Sequence, residues 1–193
     1  MCHAFLSTAK FWSLLLRIDE DLAAEVRTAG CAACGGVLHS ARYPRKPRGI
    51  DRCVLGDEYG RRLSFCCDRD GCRRRATPPS VRFLGRRVFL GAMVVLVTAL
   101  SAGLTGQRVA MLHEEFGIGV RTLRRWRAWW QKDFVASALW PLLRARLATP
   151  IKLAELPGAL LERCAGAERA GQLTHLLRLL APLSTRRYVR EGR

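Results

Sequence analysis

Two close pairs of cysteines, each beside glycine, constrain this chain more than any other feature. Cys31-Ala-Ala-Cys34-Gly35-Gly36 is a CxxC turn, and Cys67-Asp-Arg-Asp-Gly71-Cys72 supplies a second pair about thirty residues later. Zinc needs four soft ligands at tetrahedral angles, and a tight turn with glycine just after it lets backbone amides point at the sulfurs. Cys66 and Cys67 are adjacent. In the alternating segment Leu63-Ser-Phe-Cys-Cys neighbours point to opposite faces, so only one of the two can face a metal. We assign Cys31, Cys34, Cys67 and Cys72 as ligands of one structural Zn2+, with Cys66 packed as a small apolar residue. The competing reading is a set of ordinary buried cysteines without metal. Cys53 and His39 are read as non-ligands, and Cys2, His3 and Cys164 lack a partner nearby in sequence. A closed site of four thiolates leaves no position for a catalytic water.

The charge narrows the partners. The 193 residues carry 33 Lys plus Arg against 16 Asp plus Glu, a formal charge of +17. Only Lys10, Lys46, Lys132 and Lys152 are lysines, so arginine dominates, which suits bidentate contact with phosphate or guanine, although a GC-rich genome gives the same bias. A polyanion is the expected partner, with nucleic acid ahead of a membrane surface. Apolar residues make up 49% of the chain, enough to bury a core. The N-terminal residues do not form a secretory signal, which places the eight cysteines in a reducing cytoplasm, where clustered thiols bind metal or stay reduced. From Val88 to Leu100 the chain is continuously apolar over about 13 residues, short of the roughly 20 that cross a bilayer. A buried helix is the expectation, with no membrane partner.

Along the chain the pattern divides into four segments, predicting a mainly α protein with a small β zinc ribbon. Residues 1–30 form an amphipathic helix with Phe11, Leu14, Leu15, Ile18, Leu22 and Val26 inward and Asp19, Glu20, Asp21 and Glu25 on the other side. Residues 31–79 are the zinc-ribbon module. Its basic, Pro-rich loop carries Arg42, Arg45, Lys46 and Arg48, held extended by two prolines and suited to tracking phosphates. Residues 80–132 are a helix-turn-helix domain, and 133–193 are a helical tail with helices at Ser137–Leu147, Pro157–Cys164 and Arg169–Leu180. No acid occurs between Gly71 and His113, while Arg73, Arg74, Arg75, Arg82, Arg86, Arg87 and Arg108 do, which predicts one strongly positive face.

The segment Leu104 to Trp126 is the most informative about function. Thr105 can cap a helix with Val109, Ala110, Leu112 and Phe116 inward, and Gly117 supplies a left-handed residue that ends it. Ile118 packs under the turn, and a second helix starts near Gly119. A rotation of about 100° per residue puts Leu123, Trp126 and Trp130 inward and Arg121, Arg124 and Arg125 opposite, with Thr122 beside them. Trp140 is read as core, and only Trp129 approaches the outer side. Phe-Gly-Ile-Gly-Val-Arg-Thr-Leu-Arg-Arg-Trp resembles the recognition segment "LGVSxRTLxRW" of bacterial transposases, resolvase-like recombinases and their regulators, with Gly119 where that pattern has a capping Ser. A Cys-rich ribbon, an Arg-rich linker and a helix-turn-helix together are similar to the zinc-ribbon proteins found with bacterial insertion sequences, whose CPxCGG knuckle stands here as Cys-Ala-Ala-Cys-Gly-Gly.

The resemblance implies a sequence-specific DNA-binding protein of a mobile element, acting as a regulator or as accessory to a transposase at the bacterial nucleoid. Double-stranded DNA is the expected partner, and a homodimer would pair half-sites. A transposase of the DDE kind needs three spaced carboxylates around two metal ions, whereas beyond Asp133 the chain has only Glu155, Glu162, Glu168 and Glu191. No enzyme is expected. The alternative is a zinc-containing adaptor that binds a polypeptide, with DNA binding incidental.

Overall fold

The computed structural model describes residues 9–45, 56–84, 88–99 and 105–185. It is about 54% helical with small antiparallel sheets, a mainly α protein with a few strands. Helix α1 (Ala9–Ala29) buries Phe11, Trp12, Leu15 and Ile18 at the expected three- and four-residue spacing. Two side chains depart from that expectation. Leu14 is 42% exposed, and Asp19 is buried rather than outward. Asp19 tolerates burial because three donors converge on it: Ser80 Oγ at 2.5 Å, the Val81 N–H at 2.7 Å and Arg82 Nε at 2.8 Å. A buried carboxylate paired and hydrogen-bonded in this way avoids most of its desolvation cost.

The cysteine module follows. Strands β1 (Leu38–Ser40) and β2 (Tyr43–Pro44) precede a short helix α2 (Gly56–Tyr59) and strands β3 (Arg61–Arg62), β4 (Phe65–Cys67) and β5 (Arg75–Ala76). One antiparallel sheet has the order β1-β4-β5, and β2 pairs with β3. Leu63, Phe65 and Cys67, spaced by two, share one face and bury against Leu38, Cys31 and Ala23 of α1. Arg82, expected on the positive surface, lies fully buried beneath this module. Besides Asp19, its guanidinium donates to the carbonyls of Tyr59 (2.6 Å) and Arg61 (3.1 Å), fastening β3 to the helical body.

Phe83, Leu84, Val88 and Phe89, expected to lie in a helical region, instead pair as two short antiparallel strands, β6 (Phe83–Leu84) and β7 (Val88–Phe89). The apolar stretch continues as helix α3 (Leu90–Ala99), buried from Leu90 to Val97. A helix apolar all round belongs inside a core. No helix among the described residues is long and apolar enough to cross a membrane. Helices α4 (Gly106–Phe116) and α5 (Val120–Gln131) come next, then α6 (Leu139–Arg144), α7 (Gly158–Glu162) and α8 (Arg169–Leu180). The tail and the first helix both pack on α3. A Cβ on Gly91 of α3 would sit 3.5 Å from Leu177 of α8 and 3.8 Å from Leu15 of α1. One apolar core thus joins α1, α3, α5 and the tail helices, while a second, smaller one lies beside the cysteines.

Candidate metal centre and basic surfaces

The first cysteine turn closes through its backbone. The Cys31 carbonyl accepts from Cys34 N–H at 3.2 Å and Gly35 N–H at 2.7 Å, and Cys31 N–H donates to the Gly36 carbonyl at 2.9 Å. The second turn does the same, with Cys72 N–H donating to the Arg69 carbonyl at 3.1 Å. Strand pairing then fixes the distance between them, since Leu38 faces Cys67 across β1 and β4. Arg69 bridges the two turns by donating to the Cys34 carbonyl at 3.0 Å.

The result is a cluster of four thiols. Cys31, Cys34, Cys67 and Cys72 offer sulfurs that all lie within 4.8 Å of one another, with Cys31 to Cys72 at 3.7 Å and Cys34 to Cys67 at 3.4 Å. A tetrahedron of sulfurs at about 2.3 Å from a zinc ion has edges of about 3.8 Å, so the donor set fits a metal ion of this size. Cys67 is the member that turns inward. Cys66 points away and donates to the Arg73 carbonyl at 3.4 Å. His39 is exposed and lies 3.6 Å from Asp68, outside the cluster. The thiols differ in readiness to ionise. The Ala33 backbone N–H pulls Cys31 down to about 7, while burial pushes Cys67 up to about 12. A metal that binds here must therefore displace a proton from Cys67 at neutral pH.

Helices α4 and α5 are separated by three residues. Gly117 takes φ +63° and its N–H donates to the His113 carbonyl at 2.8 Å, ending α4. Ile118 is buried under the turn, and Gly119 precedes α5 in extended backbone without a side-chain cap. Leu112 is the fully buried residue of α4; Val109 and Phe116 are half-buried, and Ala110, expected inward, is exposed. On α5 the inward set is Leu123, Trp126 and Trp130, as the spacing requires. Trp130 stacks edge-on against Phe134 at 4.7 Å, and Phe134 against Trp140 at 5.4 Å, which locks the rotation of the helix. Half-buried Trp129 borders this group. Arg121, Arg124 and Arg125 are exposed on the far side, and Thr122 is half-buried.

The cysteine module carries a second basic surface. Arg73, Arg74 and Arg75 are exposed, while Arg42, which pairs with Glu58 at 3.4 Å, keeps about half of its side chain accessible. Arg45 is half-buried rather than a free arm. Its guanidinium lies 4.8 Å from the Tyr43 ring centre and donates to the Tyr43 hydroxyl at 2.9 Å, and Arg75 approaches the same ring at 5.5 Å. Tyr43 was not singled out by the sequence, although its place between two arginines in Arg-Tyr-Pro-Arg carried the signal. Lys46, Arg48, Arg86 and Arg87 lie outside the described residues, as does the side chain of Arg108. Comparison with protein families, with curated proteins and with solved structures finds no match.

Proposed function

We propose that this chain is a sequence-specific DNA-binding protein whose α4–α5 pair acts as a helix-turn-helix and whose cysteine module is a zinc ribbon that grips the DNA backbone. One observation carries the reading: α5 buries Leu123, Trp126 and Trp130 on one side and exposes Arg121, Arg124 and Arg125 on the other, with no acid between Val120 and Gln131. In a helix-turn-helix the N-terminal part of the second helix meets base edges in the major groove. Arg73, Arg74 and Arg75 would supply phosphate contacts. Zinc in the four-thiolate site braces the strands that carry them and performs no chemistry. The link to a mobile element, as regulator or transposase accessory, rests on two resemblances: that of Phe116–Trp126 to a recognition segment, and that of the order of cysteine ribbon, Arg-rich linker and helix pair to proteins found with insertion sequences.

Duplex binding measured against salt tests the proposal. Arg121→Ala or Arg125→Ala should cost about 1 to 3 kcal/mol on a preferred site and much less on random DNA. Loss of Arg74 should weaken all sequences alike and flatten the slope of log affinity against log salt by about one unit. Unchanged binding to both DNAs in the Arg121→Ala, Arg125→Ala double variant would sink the reading and favour a zinc-containing adaptor for a polypeptide partner.

A further inference from the structure

We propose that the element read by α5 is a short guanine-rich core, at least two guanines within about four base pairs, approached from the major groove. The inference rests on the DNA-binding reading and adds the identity of the bases. The exposed residues of α5 are Val120, Arg121, Arg124, Arg125 and Ala128. Every polar group among their side chains is a donor. Several guanidinium groups elsewhere are engaged: Arg42 and Arg61 with Glu58, Arg82 with Asp19, Arg163 with the Ala159 carbonyl and Arg169 with Gln172. Arg121, Arg124 and Arg125 make no ion pair with an acid among the described residues, so their donors remain available for an outside acceptor.

The major groove offers such acceptors unevenly. Guanine presents two, N7 and O6, in the spacing that one guanidinium fork spans; adenine and cytosine present an amino donor that a guanidinium cannot satisfy, and thymine presents one acceptor and a methyl group. An acceptor-bearing side chain would be needed to reward adenine or cytosine. None of the exposed positions from Val120 to Ala128 has one; half-buried Thr122 offers a single hydroxyl that donates or accepts and so sets no preference, and Gln131 is half-buried at the far end. The bases gaining most are therefore guanines, with thymine second through methyl contact with Val120 or Ala128. Geometry sets the window. Val120 to Ala128 spans about 12 Å of helix at 1.5 Å per residue, or about four base pairs at 3.4 Å each. Arg121 and Arg125, one turn apart, reach bases about two steps apart. Ala128 continues the same stripe with only a methyl group, so the helix backbone can lie close to the groove floor beyond the arginines.

The experiment is selection of bound duplexes from a random pool with the full chain at physiological salt, repeated with R121Q, R124Q and R125Q, whose helical content is checked first. Wild type should enrich guanine at two or more positions within the window. Glutamine pairs bidentately with adenine, so R121Q or R125Q should turn one enriched guanine into adenine and lower affinity for the original site about tenfold or more. A purely structural arginine would not move a base preference in this way. Selection of a motif without guanine, or guanine retained at every position in all three variants, overturns the inference while leaving DNA binding in place. No motif above random, with equal affinity for every duplex, overturns both.

Discussion

Gly36 has no side chain because there is no room for one. A Cβ at this position would lie 3.0 Å from Cys67 Sγ and 3.3 Å from Cys34 Sγ, between sulfurs of both turns. Gly36→Ala should therefore push the turns apart and weaken metal binding about ten- to hundredfold, read by competition with a chromogenic chelator. Cys72→Ser should lose the metal, whereas Cys66→Ser, whose sulfur faces the Arg73 carbonyl, should keep it. Equal metal content in the Cys72→Ser protein would remove that residue from the site. Asp19 makes the opposite kind of point. The cysteine cluster was legible because metal ligation imposes a spacing within each turn. The role of Asp19 was not, because periodicity sorts residues by polarity and cannot see a partner such as Arg82, 63 positions away. Asp19→Asn leaves the Arg82 guanidinium buried without its counter-charge and should cost about 3 to 5 kcal/mol in urea denaturation. A cost below about 1 kcal/mol would mean that the guanidinium finds water or another acceptor.

At the scale of elements, α5 was legible down to its rotation, since Leu, Trp and Trp at three- and four-residue spacing leave one way to turn the helix inward. The preceding helix was less so. Alanine is indifferent to burial, and Ala110 falls outside the face that Leu112 fixes, so its exposure costs little. Strands β6 and β7 are two residues each, too short to establish a period of two, and the apolar residues of β7 merge into the run that becomes α3. The turn between α4 and α5 depends on Gly117, whose φ of +63° suits glycine and where an added Cβ would meet nothing within 4 Å. Gly117→Ala therefore incurs only backbone strain, about 1 to 2 kcal/mol, and Gly117→Asn should cost less. Thermal unfolding of the two variants checks this ranking, and equal melting temperatures for glycine and alanine would show that the turn relaxes out of the left-handed region.

For the whole molecule, the two apolar cores differ in what sustains them. The larger one gathers Trp12, Leu15, the length of α3, Leu123, Trp126, Trp130 and the tail leucines, and none of the four clustered thiols belongs to it. The smaller consists of Ala23, Cys31, Leu38, Leu63, Phe65 and Cys67, so two of its six buried members are themselves candidate ligands. So small a core cannot offset the chain entropy of the strands around it without a cross-link, and metal binding energy then becomes folding energy for that module. Chelation at neutral pH should accordingly strip amide protection from residues 31–40 and 63–76 while α3, α5 and α8 stay protected, and most of the helical dichroism should survive. Hydrogen exchange reads both halves of that expectation. The Arg82 bonds to the Tyr59 and Arg61 carbonyls set the boundary, because they hold β3 from the helical side whether or not metal is bound. On the proposed DNA-binding reading, the same split predicts that metal-free protein retains the base preference that α5 would set, while Arg73, Arg74 and Arg75 would no longer reach the phosphates. The slope of log affinity against log salt should then become shallower by about one unit for each of these arginines that leaves the backbone. If the metal-free chain instead loses base preference and helical structure together, the module is an integral wall of the main core, and α5 does not read bases independently of it.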